Sequence, residues 1–400
     1  MMQAVRLARV SDQIGDSLSA SLGPVEYGYY IVLFYTVLGP ALGLVLAGGI
    51  GSGFLMIPVV GLCFIALGPA SLKVLQTALI PLACGASYLF IQLALHGEST
   101  YAMYVYQFGP WLFSLIIVHA LCKYRPDFLH RFAWFTLLIG LAMLPYMSFG
   151  QAGGYERVGL DRSVAYANPN ALAGYFGFCF LYLVVKGYIE SRMAYRLAAW
   201  LMAAVALFLV TLTVSRGALV AVAVSLLVAS RKLLKVGVLP LLLLTGFLLG
   251  IMATGVFDQA IDAYTRRAGE ETGRLKIWPL ALEKFLNSPM IGVGASRAGV
   301  WTSPDKYQTP HNSFLLFAVA SGVIPLALFC AYCFRSGMAA LRANMANRDS
   351  AFHLPLVTYT VLVTSAGNMD FMAPWAVVSL AMPLAAVSRA ESEREGQHGF

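Results

Sequence analysis

The sequence predicts an all-α polytopic membrane protein with about twelve transmembrane helices, and three observations carry that expectation. Of the 400 residues, 59% are hydrophobic and only 12% are charged, whereas a soluble domain carries roughly 25% charged residues. Mean hydropathy is +0.73, and the apolar residues fall into runs near the 20 or so that a helix needs to cross a bilayer. These runs are continuous rather than alternating, which excludes transmembrane β-strands.

Taken in order, residues 1–28 are mixed polar, with Arg6, Arg9, Asp12 and Asp16. They contain no apolar core ahead of a small-residue cleavage site, so an amphipathic interfacial start is expected rather than a cleavable signal peptide. Spans are expected near 29–48, 50–68, 70–95, 101–122, 132–149, 171–188, 197–214, 217–230, 236–257, 311–334, 351–368 and 371–388. The run 197–230 is too long for one crossing and is interrupted by Ser215-Arg216-Gly217, which reads as a hairpin with Arg216 at its tip. Gly, Ala and Ser within the runs allow helices to approach closely in lipid. The six cysteines lie in or at the ends of apolar runs, so neither a disulfide framework nor a zinc site is suggested. No soluble domain or repeat stands out. The chain reads as a single membrane domain, 1–400, with one long polar loop at 258–310.

Lys and Arg are retained on the cytoplasmic side in short loops. Placing both termini inside gathers most of the 27 basic residues there and leaves only Arg157, Arg162 and Arg216 in short outer loops. The net charge of +8 then reflects orientation, with no nucleic-acid-binding pattern in it. The outer arginines run against the topological bias, so something other than topology keeps them.

Two outer segments are long enough to form structure: 150–170, with Arg157, Arg162 and the turn-prone Asn168-Pro169-Asn170, and 258–310. On a helix starting near Arg274, a rotation of 100° per residue aligns Arg274, Trp278, Ala281 and Phe285. Lys276, Glu283 and Asn287 point the other way, and Pro279 marks a kink or the true start. Arg274 is thus the cation on the buried-type face, fitted to bind an anion or to pair with Glu270 or Glu271. Arg216 between apolar helices faces a water-filled cavity, a partner or the outer headgroups. His311, after Pro310, is expected in the first turn of a helix, where free N–H groups and the dipole favour anions. There it would serve phosphate binding, proton transfer or a structural role. No paired Asp motif offers a metal site, and Asp370 stands alone in a short turn. Guanidinium groups bind phosphate bidentately and can neutralise a pyrophosphate leaving group without metal.

The segments Thr213-Val-Ser-Arg216-Gly217, Gly273-Arg274 through Trp278 to Pro289 and Gly292-Val-Gly294, and His311-Asn312 with Gly322 together resemble the O-antigen ligase/polymerase superfamily. Arg162 followed by Asn168-Pro169-Asn170 is similar to its upstream signature. The resemblance implies a C-type glycosyltransferase-like fold in the bacterial inner membrane, with a periplasmic active site and no cofactor or metal. The implied donor is a glycan on undecaprenyl pyrophosphate. A ligase would transfer it to a lipid A–core oligosaccharide, a polymerase to another glycan repeat, and a protein O-oligosaccharyltransferase to protein. The modest outer loops favour the ligase. Carried over by position, Arg216 and Arg274 would bind the pyrophosphate and His311 would activate the acceptor hydroxyl or hold phosphate. Arg157 and Arg162 would contact the donor, and Asn312 would orient His311. An anionic-lipid transporter or flippase is the rival of another class. It would require polar residues along the spans, which are nearly free of them.

Overall fold

The computed structural model describes residues 17–39, 41–43, 52–96, 99–151, 156–160, 168–233, 273–303, 306–343, 349–366 and 373–398. The expected span near 236–257, Arg162, Glu270, Glu271 and Asp370 lie outside the described residues. Among those described, the fold is mostly helical, as continuous apolar runs dictate when each backbone group must be satisfied within its own segment.

The helices are α1 (Gly23–Leu38), α2 (Met56–Leu67), α3 (Ser71–Phe90), α4 (Ser99–Tyr124), α5 (Phe128–Met143), α6 (Pro169–Ile189), α7 (Met193–Leu212), α8 (Arg216–Leu233), α9 (Gly273–Asn287), α10 (Ser313–Ser321), α11 (Val323–Ala343), α12 (His353–Ser365) and α13 (Pro374–His398). Among the described residues, five helical stretches are long and apolar enough to cross a membrane: Met56–Leu95, Phe128–Tyr146, Pro169–Ile189, Met193–Leu212 and Val323–Ala343. The first, 40 residues long, would measure about 60 Å as one helix, twice the hydrocarbon thickness. Gly68, at φ +50°, breaks it into α2 and α3 at the boundary expected between the runs 50–68 and 70–95. The hairpin expected at 197–230 is also present, as α7 and α8 joined by the turn Thr213–Ser215.

Three expectations need correction. The fold is not purely helical: β1 (Met147–Gln151) pairs antiparallel with β2 (Glu156–Leu160), and β3 (Val300–Ser303) with β4 (Lys306–Gln308). The span expected near 132–149 ends as a helix at Met143, and Pro145 opens a short 3-10 turn leading into β1. The single span expected near 311–334 is broken at Gly322, φ +80°. It becomes the nine-residue α10 and the 21-residue α11. Nine residues rise only about 14 Å, too little to cross.

Contacts between helix termini group them at two ends of the bundle. At one, the buried Glu26 of α1 accepts from Arg125 Nε at 3.1 Å, Arg131 Nε at 2.7 Å and Tyr30 Oη at 2.8 Å. Lys123 donates to Ser388 Oγ, and Arg389 to the Cys122 carbonyl, at the same end. Removing a carboxylate from water costs several kcal/mol, which only dense pairing of this kind offsets. At the opposite end stand both β-hairpins, α9 and the starts of α8 and α10. Large rings fill the interior between them, among them Trp375, Tyr359, Phe178 and Phe132.

Candidate active site

The α7–α8 turn places Arg216 as the first helical residue of α8, half-buried, directly before Gly217. The backbone bends there through Val214, at φ +51°. A β-branched residue in the left-handed region is strained by about 1–3 kcal/mol, and such strain persists only where the surroundings enforce it. Val214 is fully buried, which supplies that enforcement.

α9 forms as the periodicity requires. Ile277 and Ala281 are buried, Arg274, Trp278 and Phe285 half-buried, and Lys276, Glu283 and Asn287 exposed. Pro279 sits inside the helix and not at its start. Arg274 Nη2 donates to the Ala366 carbonyl at 3.0 Å, at the C-cap of α12, where the helix dipole favours a cation. A Cβ built on Gly217 would lie 3.0 Å from Ala366 Cβ and 3.6 Å from Arg274 Nη1. The tight approach at Gly217 is therefore to Ala366, and the Arg274 guanidinium lies in ordinary contact distance of the start of α8.

Trp278 Nε1 donates to the Pro310 carbonyl at 3.0 Å, tying α9 to the residue before His311. His311 is half-buried at φ +48°. It does not occupy the first helical turn. Asn312 is the N-cap of α10, its side-chain oxygen accepting from Leu315 N at 3.1 Å, and His311 precedes it. The capping oxygen is committed to the helix, so Asn312 bears on His311 through the backbone it fixes. Burial, and next the charge of Arg274, lower the pKa of His311 below its usual 6.5. That Coulombic influence places imidazole and guanidinium in one electrostatic neighbourhood.

The chain from α9 to α10 is locked from behind. Val293 N and Gly294 N donate to the Val319 and Ala320 carbonyls, and Val323 N to the Pro289 carbonyl. Gly292 sits at φ +66°, where a Cβ would stand 2.5 Å from the Ala320 carbonyl carbon, and a Cβ on Gly322 would overlap the Met290 carbonyl. Gln92, buried near the end of the α3 segment, donates to Ala320 O and Ser321 Oγ and accepts from Ala295 N. Sequence reasoning passed over Gln92. Its signal was an amide near the end of the apolar run 70–95. Ala366 acts through its carbonyl and left no signal at all.

The structure thus brings together Arg274, the α8 start bearing Arg216, and His311 with Asn312. Arg157 lies in β2 opposite Gly150. Asn168 caps α6 by accepting from Asn170 N, with Pro169 in the first turn, so the Asn-Pro-Asn signature is a helix start. Among the described residues, no three His, Cys, Asp or Glu side chains stand together.

Fold and site define a polytopic helical membrane protein with a cationic, histidine-bearing cluster at one end of its bundle. Residues 197–330 match a family model described as O-Antigen ligase, so this stretch is similar to the O-antigen ligase superfamily. That superfamily comprises glycosyltransferase-like ligases and polymerases, which supports an enzyme. The matched stretch contains Arg216, Arg274, His311 and Asn312, while Arg157 and Arg162 fall outside it. No curated protein matches the chain.

Proposed function

We propose that the chain is an O-antigen ligase. It transfers a glycan from undecaprenyl pyrophosphate to a lipid A–core oligosaccharide, with inversion and without metal, at the periplasmic face of the bacterial inner membrane. Both termini lie in the cytoplasm, the chain is one membrane domain of about twelve spans with a C-type glycosyltransferase-like fold, and 258–310 is its periplasmic loop. The observation that carries this reading is the meeting of Arg274, Gly217 and the Ala366 carbonyl at the start of α8, with His311 within the electrostatic reach of Arg274.

In the reaction, an acceptor hydroxyl oxygen attacks the anomeric carbon as the bond from that carbon to the pyrophosphate oxygen breaks. Arg216 and Arg274 bind the departing pyrophosphate and stabilise the charge developing on it. Arg157 and Arg162 add donor contacts from the 150–170 segment. His311 takes the hydroxyl proton, a role that needs the neutral imidazole which burial and Arg274 favour. Donor binding also arms this base: pyrophosphate offsets the charge of Arg274 and thereby raises the proton affinity of His311.

Purified enzyme with lipid-linked donor, core acceptor and EDTA tests the reading. Arg216→Ala, Arg274→Ala and His311→Ala are each expected to lower kcat by at least about 10²-fold while the protein stays folded in the membrane. Full activity in all three, or a need for added metal, would reject it. Replacing the core acceptor by a second lipid-linked glycan separates ligase from polymerase.

A further inference from the structure

A second site lies at the other end of the bundle. A cleft of about 490 Å³ opens between α3, α11 and α13, lined by Gln76, Arg335, Arg342, Leu384, Val387 and Glu391 among others. On α11 the lining residues Arg335, Met338, Ala339 and Arg342 follow the i, i+3, i+4, i+7 spacing of one helix face. On α13 the residues Leu384, Val387, Ser388 and Glu391 repeat that spacing. Two helical stripes in such register normally interdigitate, and interiors leave few voids larger than a water. Here they enclose a volume in the range of ligand pockets, roughly 300–1,000 Å³.

The lining is amphipathic. Phe334, Met338, Leu384 and Val387 form apolar walls, while Arg335 and Arg342 present two guanidinium groups and Gln76, Thr77 and Ser388 neutral hydrogen-bonding groups. Ion pairs are made nearby, by Arg125 and Arg131 on Glu26, but the described residues give neither Arg335 nor Arg342 a hydrogen bond or ion pair. Lys123, bonded to Ser388 on the cleft wall, adds a third cation, and among the described residues Glu391 is the one acid lining it.

We propose that this cleft holds an anionic phospholipid with a hydroxyl-bearing headgroup, of the phosphatidylglycerol class. Its phosphate pairs with Arg335 and Arg342, its headgroup hydroxyls meet Glu391 and Gln76, and an acyl chain lies on Phe334, Met338, Leu384 and Val387. Basic pockets between membrane helices recognise lipid phosphates in this way. The site is independent of the glycosyl-transfer reading and leaves the cationic cluster at the other end untouched.

The test uses the full chain in neutral detergent, titrated with fluorescent phosphatidylglycerol, with phosphatidylcholine as control and inorganic phosphate as competitor. Phosphatidylglycerol is expected to bind at least about tenfold more tightly than phosphatidylcholine and to resist displacement by millimolar phosphate. Arg335→Gln with Arg342→Gln is expected to remove that preference, and Arg335→Lys with Arg342→Lys to keep most of it. Leu384→Trp fills the cleft without touching its charges and is expected to weaken binding by a similar factor, which decides the matter should the glutamine variant not fold. Equal binding of both lipids, displacement by phosphate alone, or unchanged affinity in Leu384→Trp would overturn the proposal.

Discussion

His311 is the residue where sequence and environment bear most directly on chemistry. Because its pKa is lowered, the imidazole stays neutral at pH values somewhat under 6.5, and protonation at still lower pH removes the base. The acid limb of kcat/KM, which reports the free enzyme, is therefore expected to fall below pH 6.5. The limb of kcat, which reports the donor complex, is expected to lie at higher pH because pyrophosphate offsets Arg274. Coincident limbs at or above 6.5 would count against both the base role and the coupling. Gly217 supplies a steric counterpart. Gly217→Val puts branched bulk against Ala366 Cβ and Arg274 Nη1, and about a 10²-fold loss of kcat/KM is expected.

At the scale of elements, the α9–α10 lock is a device of backbone proximity. Gly292→Ala and Gly322→Ala each force a Cβ onto neighbouring backbone at a positive φ, and each is expected to cost about 1–3 kcal/mol. Activity should fall more than that cost explains, because His311 hangs between the two locked segments. Asn312→Ala removes the α10 cap and is expected to cost about 1 kcal/mol, measurable as a lower unfolding midpoint in detergent. Asn312→Asp, which retains the capping oxygen, should restore it. The sequence disclosed α9 well, since its 3.6-residue period is a local property. It disclosed the break at Gly322 poorly, because a single Gly in a long apolar run is compatible with an unbroken span until the partner backbone at Met290 is known.

Across the whole molecule, the two ends divide the labour. Glu26 joins α1 to the α4–α5 connection through Arg125 and Arg131. Glu26→Ala strands a partly buried guanidinium and is expected to destabilise by about 3 kcal/mol, read by thermal unfolding with intact transfer activity in the surviving fraction. Orientation has its own check. Ser296→Cys, exposed between α9 and β3, should react with an impermeant thiol reagent in intact spheroplasts. Ser191→Cys, exposed between α6 and α7, should react only after permeabilisation. The reverse pattern would place the cationic cluster on the cytosol and exclude a periplasmic ligase.

Composition and run length alone determined that this is a helical membrane protein, since backbone desolvation in lipid leaves an apolar chain little other choice. Local spacing determined the α9 face and the Arg216 turn, both of which depend on residues a few positions apart. Only the tertiary structure decided that Arg274 lies beside Gly217 at the α8 start and anchors on a carbonyl 92 residues away. The same holds for the buried amide of Gln92, which joins segments more than 200 residues distant. Contacts between backbone atoms of remote segments depend on how the helices pack, and no side-chain pattern along the chain encodes them.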